Sequence, residues 1–308
     1  MFPENISKVP VIYSESYYVE IGEHVFPTSK YRLLRKRLGS DPALSGRFEI
    51  IPPVEATDEE VLTTHTPGYV MKLRTGTLTP EEVMTMELPY SSELVDAFFM
   101  TCGGTITAAR KALETGSSVH IGGGFHHAFP DHGEGFCVLN DVAVSIKALK
   151  AEGLIKKALV VDCDLHQGNG TAFIFGKDRD VFTFSIHQQD NYPYYKPKSD
   201  LDIGLKDHTS DDVYLKHLRD NIPGIISSHK PELVVYVAGA DPYEDDQLGA
   251  LKITKEGLKK RDHFVLTQAR NFGVPVTITL AGGYAYNRKD TVDIHFNTIK
   301  ECINIFTR

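Results

Sequence analysis

The stretch VVDCDLHQGNG, residues 160–170, decides how the chain is read. Val160 and Val161 close an apolar run of the kind that forms a buried strand. Asp162, Asp164 and His166 then follow at every second position. Side chains alternate faces along a strand, so these three point the same way. Unpartnered buried carboxylates are costly, so a core strand that ends like this needs a counter-charge beside it.

Outward from this segment, short apolar runs alternate with longer amphipathic ones, the pattern of βαβ units on a mostly parallel sheet. Strands are predicted at 9–13, 48–51, 118–121, 158–162, 181–186, 233–238 and 274–280, and helices at 29–38, 92–114, 141–152, 211–228 and 255–272. Asn140 is a candidate N-cap, and Gly116, Gly153 and Gly273 are candidate helix stops. No repeat or linker-like stretch divides the 308 residues, and a chain of that size buries about 75% of its unfolded surface. We therefore expect one α/β domain over 1–308, with three layers and helices on both faces of a mostly parallel central sheet.

Five of the predicted strands release polar groups at the same end. SSVHIGGGFHHAF (117–129) leads to His126 and His127, and VVDCDLH (160–166) supplies the alternating carboxylates. VFTFSIH (181–187) ends on Ser185 and His187, LVVYVAGAD (233–241) on Asp241, and VTITLAGGY (276–284) on Gly282, Gly283 and Tyr284. Ligands of open parallel sheets bind outside the carboxyl ends of the strands, so these groups are expected to converge there.

Composition narrows the function classes. The formal charge is −8 and no Lys/Arg block is present, which argues against a nucleic-acid partner. Cys102, Cys137, Cys163 and Cys302 lack CxxC spacing, so reduced thiols are expected rather than a disulfide framework or a Cys-based zinc site. No apolar run approaches the roughly 20 residues needed to span a bilayer. Pro3 and Glu4 stand where a signal peptide would carry basic and then apolar residues, so a soluble cytoplasmic protein is expected.

Asp164, His166 and Asp241 form an N/O donor set with room for water or substrate, the arrangement of a catalytic rather than a structural zinc. Alone, Asp164 and His166 would read as a hydrogen-bonded pair; a third buried carboxylate at Asp241 tips the reading to a metal. His126 and His127, adjacent and opposite that set, suit proton transfer from water and to a leaving amine, with Asp162 and Asn169 in the right segment to orient them. Tyr284 can donate its phenol to the oxyanion that forms when water attacks an amide. The glycines before His126 do not form GxGxxG, which weakens a dinucleotide-loop reading. Asn5-Ile6-Ser7 and Asn169-Gly170-Thr171 match glycosylation acceptors, which in a cytoplasmic chain are accidents of composition.

GGGFHHAFPDHGEGFCVLND (122–141), VVDCDLHQGNG, AGADPYEDDQLG (238–249) and LAGGY (280–284), in this order, resemble the zinc-dependent histone deacetylase family of the arginase–deacetylase fold. The forms GGGFHHA, HQGNG and EDDQLGA are most similar to the class IV branch, the histone deacetylase 11-like proteins. The resemblance implies Zn2+ at Asp164, His166 and Asp241, with Fe2+ or Co2+ able to use the same donors. It implies Tyr284 as the electrophilic tyrosine, His127 as main general base and acid, and His126 as an electrostatic partner held by Asp162. Gly135, Phe136 and Tyr192 would line a tunnel around an acyl-lysine chain, with Gly283 also at the substrate. A monovalent cation, K+, would sit at Asp162, Asp164, His166, Ser185 and Ile186. The implied substrate is an acyl-lysine peptide or protein or a small acylated amine, and the class IV likeness adds long fatty acyl groups to acetyl.

Asn169 stands where many deacetylases place an aspartate. A neutral amide stabilises imidazolium less than a carboxylate does, which favours a neutral His127 ready to act as base. The alternative closest in chemistry is an acetylpolyamine amidohydrolase. A two-metal arginase-like hydrolase would need a carboxylate two residues past His166, where Gly168 stands, and a second one after Asp241, where Pro242 and Tyr243 stand. A pseudoenzyme that only binds acyl-lysine would be missing a metal ligand, a histidine or the tyrosine, and all are present.

Overall fold

The computed structural model describes residues 8–307. The first residues, read above against a signal peptide, and the Asn5-Ile6-Ser7 acceptor lie outside them.

Eight strands form one sheet: β1 (Val9–Ile12), β2 (Phe48–Ile51), β3 (Ser117–His120), β4 (Ala158–Asp162), β5 (Val181–Gln188), β6 (Leu201–Leu205), β7 (Leu233–Val237) and β8 (Val276–Thr279). Their spatial order is β2-β1-β3-β8-β7-β4-β5-β6, and every neighbouring pair is parallel. The expected mostly parallel sheet is thus parallel throughout the described residues. All residues of β3, β4, β7 and β8 are buried. Accordingly β4 (ALVVD) and β7 (LVVYV) read as near-continuous apolar runs, while β3 (SSVH) and β8 (VTIT) bury serine, histidine and threonine side chains as well.

Ten α-helices surround the sheet among the described residues: α1 (Lys30–Ser40), α2 (Asp58–Leu62), α3 (Pro67–Thr75), α4 (Pro80–Met86), α5 (Ser92–Thr115), α6 (Asp141–Ala151), α7 (Asn169–Phe175), α8 (Asp211–His229), α9 (Lys255–Phe272) and α10 (Arg288–Phe306). On one side α5 packs against α6 and against β1, β3 and β8. On the other, α10 packs against α9 and α1, and α9 against α8. Asn140 caps α6 by accepting a hydrogen bond from the Ala143 amide, and α5 and α9 end on Gly116 and Gly273 at φ +86° and +68°. Gly153, at φ +71°, stands one residue beyond the Glu152 that caps α6.

Sequence patterning missed β6 and five helices. β6 is an edge strand, half-exposed and interrupted by Asp202 and Gly204, so it carries no apolar run. The short α2, α3, α4 and α7 are capped turns of chain with little periodicity. Three begin on threonine caps (Thr57, Thr66 and Thr79), the first and last with a full capping box. The larger omission is α10, rich in β-branched and aromatic residues that read poorly as helix. Burial of Val292, Ile294, Phe296, Ile299 and Ile303 against its neighbours overrides that local preference.

The strand order matters most for function. The chain places β3, β8, β7 and β4 side by side, with β5 next. These are the five strands whose carboxyl ends carry the polar groups singled out from the sequence, so segments more than 100 residues apart converge at one point of the sheet edge.

Candidate active site

Asp164, His166 and Asp241 meet beyond β4 and β7. Their donor atoms all lie within 4.8 Å of one another and all three residues are buried. His166 Nδ1 is 3.2 Å from Asp164 Oδ1 and 3.4 Å from Asp241 Oδ2. Backbone amides pin both carboxylates: Asp164 Oδ1 accepts from the His166 N–H and Oδ2 from Gly282 (3.0 Å each), and Asp241 Oδ1 accepts from Leu165 (3.0 Å). Asp241 Oδ2 is left buried with no hydrogen bond. A buried charged oxygen without a donor, facing an imidazole and a second carboxylate, is what a cation ligand looks like before its ion.

Glycine makes room for this cluster. A Cβ on Gly282 would fall 2.0 Å from Asp241 Oδ2 and 2.7 Å from Asp164 Oδ2. The carboxylates also set the local charge. Burial lowers the His166 pKa, but Asp164 and Asp241 outweigh it and raise the value to about 10. Burial and the neighbouring Asp164 raise Asp241 to about 6. The cluster therefore favours positive charge at its centre, from a proton or a metal cation. The donor set and the orphaned oxygen fit a divalent ion.

The histidine pair stands against this cluster. His126 Nδ1 donates to Asp162 Oδ2 (2.7 Å), His127 Nδ1 donates to Asn169 Oδ1 (2.7 Å), and the two Nε2 atoms face each other at 3.1 Å. Burial alone would lower the His126 pKa, but the charges of Asp162 and Asp164 raise it to about 9. His127 goes the other way. Burial, then the positive charges of His126 and His166, hold its pKa well below the ordinary value. Two adjacent imidazoles are thus split into one that keeps a proton and one that stays neutral.

Tyr284 completes the cluster. Its hydroxyl is kept protonated by burial and by the nearby Asp241 and Asp164, which raise its pKa well above the usual range, so it remains a donor. Its backbone is fixed by Asp246, whose Oδ2 accepts from the Tyr284 amide (2.7 Å). Lys30, fully buried between the rings of Phe26 and Tyr31, donates to the carbonyl of Ala281 (2.5 Å) and holds the turn before it.

A cavity of about 180 Å³ leads from the surface to these groups. His127, His166 and Tyr284 form its floor, and Gly135, Phe136 and Tyr192 line it with Leu248, Asn191 and Glu87. A second space of only about 20 Å³ adjoins it at these same groups, bounded by His126, His127, Asp164, His166 and Tyr284 together with Phe26, Phe125, Cys137, Ala281 and Gly282.

The site residues read from the sequence are therefore mostly gathered here. Asn169, at the start of α7, is fully buried and bonded to His127, unlike a glycosylation acceptor. Ser185 pairs in register with Asp162 across β4 and β5, beside Ile186, and its hydroxyl is 2.9 Å from His187 Nδ1. Gly283 lines neither cavity. Its Cα faces Thr291 and Ala240, where a Cβ would come within 2.7 Å and 2.9 Å. Lys30, Asp246, Leu248, Asn191, Glu87 and Glu134 were not singled out. Glu134, Asp246 and Leu248 stood within quoted motifs, yet like the others they act through contacts across the fold that no local pattern announces.

Residues 24–299 match the histone deacetylase domain. The chain is 43% identical over 289 residues to an uncharacterized protein of Picosynechococcus sp., covering 93% of this chain and 95% of that one. It is 31% identical over 296 residues to histone deacetylase 2 of Arabidopsis thaliana, covering 92% of this chain and 76% of that protein. The crystal structure of the HDA15 HD domain superposes with a TM-score of 0.78 at 22% identity, covering 96% of this chain and 95% of that one.

Proposed function

Because the chain belongs to the histone deacetylase domain family, we propose that this hydrolase cleaves the amide of an Nε-acyl-lysine side chain. One observation carries the reading: a narrow cavity walled by Phe136, Tyr192 and Leu248 ends where a neutral histidine, a protonated histidine, a phenol and a cation-seeking donor set converge. The reading treats the chain as one catalytic domain. Within the family, the forms GGGFHHA, HQGNG and EDDQLGA support the class IV branch, while Asn169 fits class II as well as class IV.

In this reading Asp164, His166 and Asp241 hold a divalent cation. Zinc, or iron(II) or cobalt(II) in the same donors, supplies Lewis acidity to the acyl carbonyl and lowers the pKa of a water. His127 takes the water's proton at Nε2, because its Nδ1–H is committed to Asn169. Tyr284 donates its hydroxyl to the oxyanion that forms on the acyl carbon. His126, kept protonated by Asp162, supplies positive charge beside His127. The proton that His127 has taken goes to the departing lysine amine, which leaves neutral as the acyl group becomes a carboxylic acid. Asp162, Asp164, His166, Ser185 and Ile186 remain the candidate residues for a monovalent cation beside this site.

The inner space favours a short acyl group. About 20 Å³ is enough for one water-sized occupant, so a methyl fits there and a fatty chain does not. We therefore expect an acetyl-lysine peptide to be hydrolysed at least tenfold faster, in kcat/KM, than its myristoyl counterpart. Acetylated polyamines, with no peptide backbone at the cavity mouth, are expected to be the poorer substrates. Release of acetate or myristate from matched substrates measures both. Preference for myristoyl would show that the inner wall opens, and turnover confined to polyamines would replace the lysine reading by the amidohydrolase one.

A further inference from the structure

We infer that Glu134 is a positioning residue for the reaction: by accepting from the Asn169 amide it fixes which nitrogen of His127 carries the proton. The inference rests on the proposed role of His127 as the base. Asn169 Nδ2 donates to Glu134 Oε1 at 2.8 Å, while Asn169 Oδ1 faces His127 Nδ1 at 2.7 Å. An asparagine amide has a donor end and an acceptor end, and turning it over exchanges them. An ionised carboxylate can only accept, so Glu134 requires the NH2 group on its own side and leaves the oxygen for the imidazole. That oxygen in turn requires Nδ1–H on His127, which puts the lone pair on Nε2, the nitrogen facing His126 and the cavity. With the amide reversed, the NH2 would face Nδ1 and favour the Nε2–H tautomer, which cannot take a proton from water.

Three further observations support this arrangement. The backbone of Glu134 is fixed by reciprocal hydrogen bonds with Cys137 (3.0 and 2.9 Å) around a tight turn. Gly135 and Phe136 at its centre both have positive φ, +52° and +65°, as in a type I′ turn. The same carboxylate oxygen accepts from the Tyr192 hydroxyl (2.9 Å), so one group sets both the wall of the cavity and the base. Finally, burial alone would raise the Glu134 pKa, but hydrogen bonds from His132, Asn169 and Tyr192 bring it below the ordinary range and keep the acceptor ionised. Glu134 lines neither cavity and acts only through Asn169 and Tyr192. Asn169, a neutral amide, is thus backed by a carboxylate one residue further out.

The test uses Glu134→Ala, Glu134→Gln, Asn169→Asp and the double variant Glu134→Gln/Asn169→Asp in the metal-loaded protein, with thermal unfolding to confirm folding. Outer partners of active-site groups typically contribute about 10- to 100-fold, so Glu134→Ala should lower kcat on the acetyl-lysine peptide by at least tenfold. Glu134→Gln keeps an acceptor oxygen and should lose less. Asn169→Asp alone sets two carboxylates against each other and should be strongly impaired. In the double variant the introduced glutamine donates to the introduced carboxylate, and kcat should recover at least tenfold over Asn169→Asp alone. Kcat within twofold of wild type for Glu134→Ala, or no recovery in the double variant, overturns the inference. Spectra of 15N-histidine-labelled protein read the tautomer without turnover. Glu134→Ala should move His127 from Nδ1–H toward Nε2–H, and an unchanged tautomer also overturns it. A wild type that hydrolyses no acyl-lysine would defeat the functional reading while leaving the tautomer result to stand or fall by itself.

Discussion

Replacing His127 with alanine is expected to lower kcat by about 100- to 10,000-fold, the usual contribution of a positioned general base. The physical reason is the division of labour between the two histidines. His126 is held protonated by Asp162, so it cannot accept the water's proton, while burial and the charge of His126 keep His127 neutral. Removing His127 therefore leaves no base at the floor of the cavity. Because the ring also packs at 5.0 Å against Tyr192, His127→Gln is the better second variant for separating lost chemistry from a slackened wall. Steady-state kinetics with the acetyl-lysine peptide should show the loss in kcat, with KM changed far less. A variant that keeps full kcat would remove His127 from the proposed mechanism.

Tyr284→Phe is expected to cost about 100- to 1,000-fold in kcat, the effect of deleting one oxyanion donor. The substitution removes a single oxygen and leaves the ring against Phe136, 5.8 Å away, so folding and metal content should be unchanged. Asp246, which holds the Tyr284 backbone, is untouched by the change. The loss should appear in kcat and kcat/KM together, because the phenol's hydrogen bond gains most of its strength as charge develops on the oxygen. Equal activity of Tyr284→Phe and wild type would show that the oxyanion is stabilised without the phenol.

Much of this site was legible in the sequence because of where parallel strands end. β4 stops at Asp162, so Asp164 and His166 stand in the turn beyond it rather than on the strand that the alternating pattern suggests. What held is that the groups released past the carboxyl ends of parallel strands converge. Strand order was not legible: nothing local says that β8 and β7 lie between β3 and β4, although the site depends on it. Residues that act at long range were equally silent. Lys30 reads as one more surface cation of an amphipathic helix, yet it is buried and bonded to a carbonyl 251 positions away. Glu134 reads as a polar loop residue until the fold brings it to Asn169. Gly283 shows the opposite case, a motif residue next to the site whose own space is taken by Thr291 and Ala240.

The central claim is that Asp164, His166 and Asp241 hold a divalent cation on which amide hydrolysis depends. The most direct measurement is metal content and acetate release from an acetyl-lysine peptide in the same protein sample, before chelation, after it, and after zinc is restored. The account predicts one divalent ion per chain, loss of acetate release with its removal, and recovery with its return. Undiminished hydrolysis by metal-free protein, or a fully loaded site without any hydrolysis of the peptide, would contradict it.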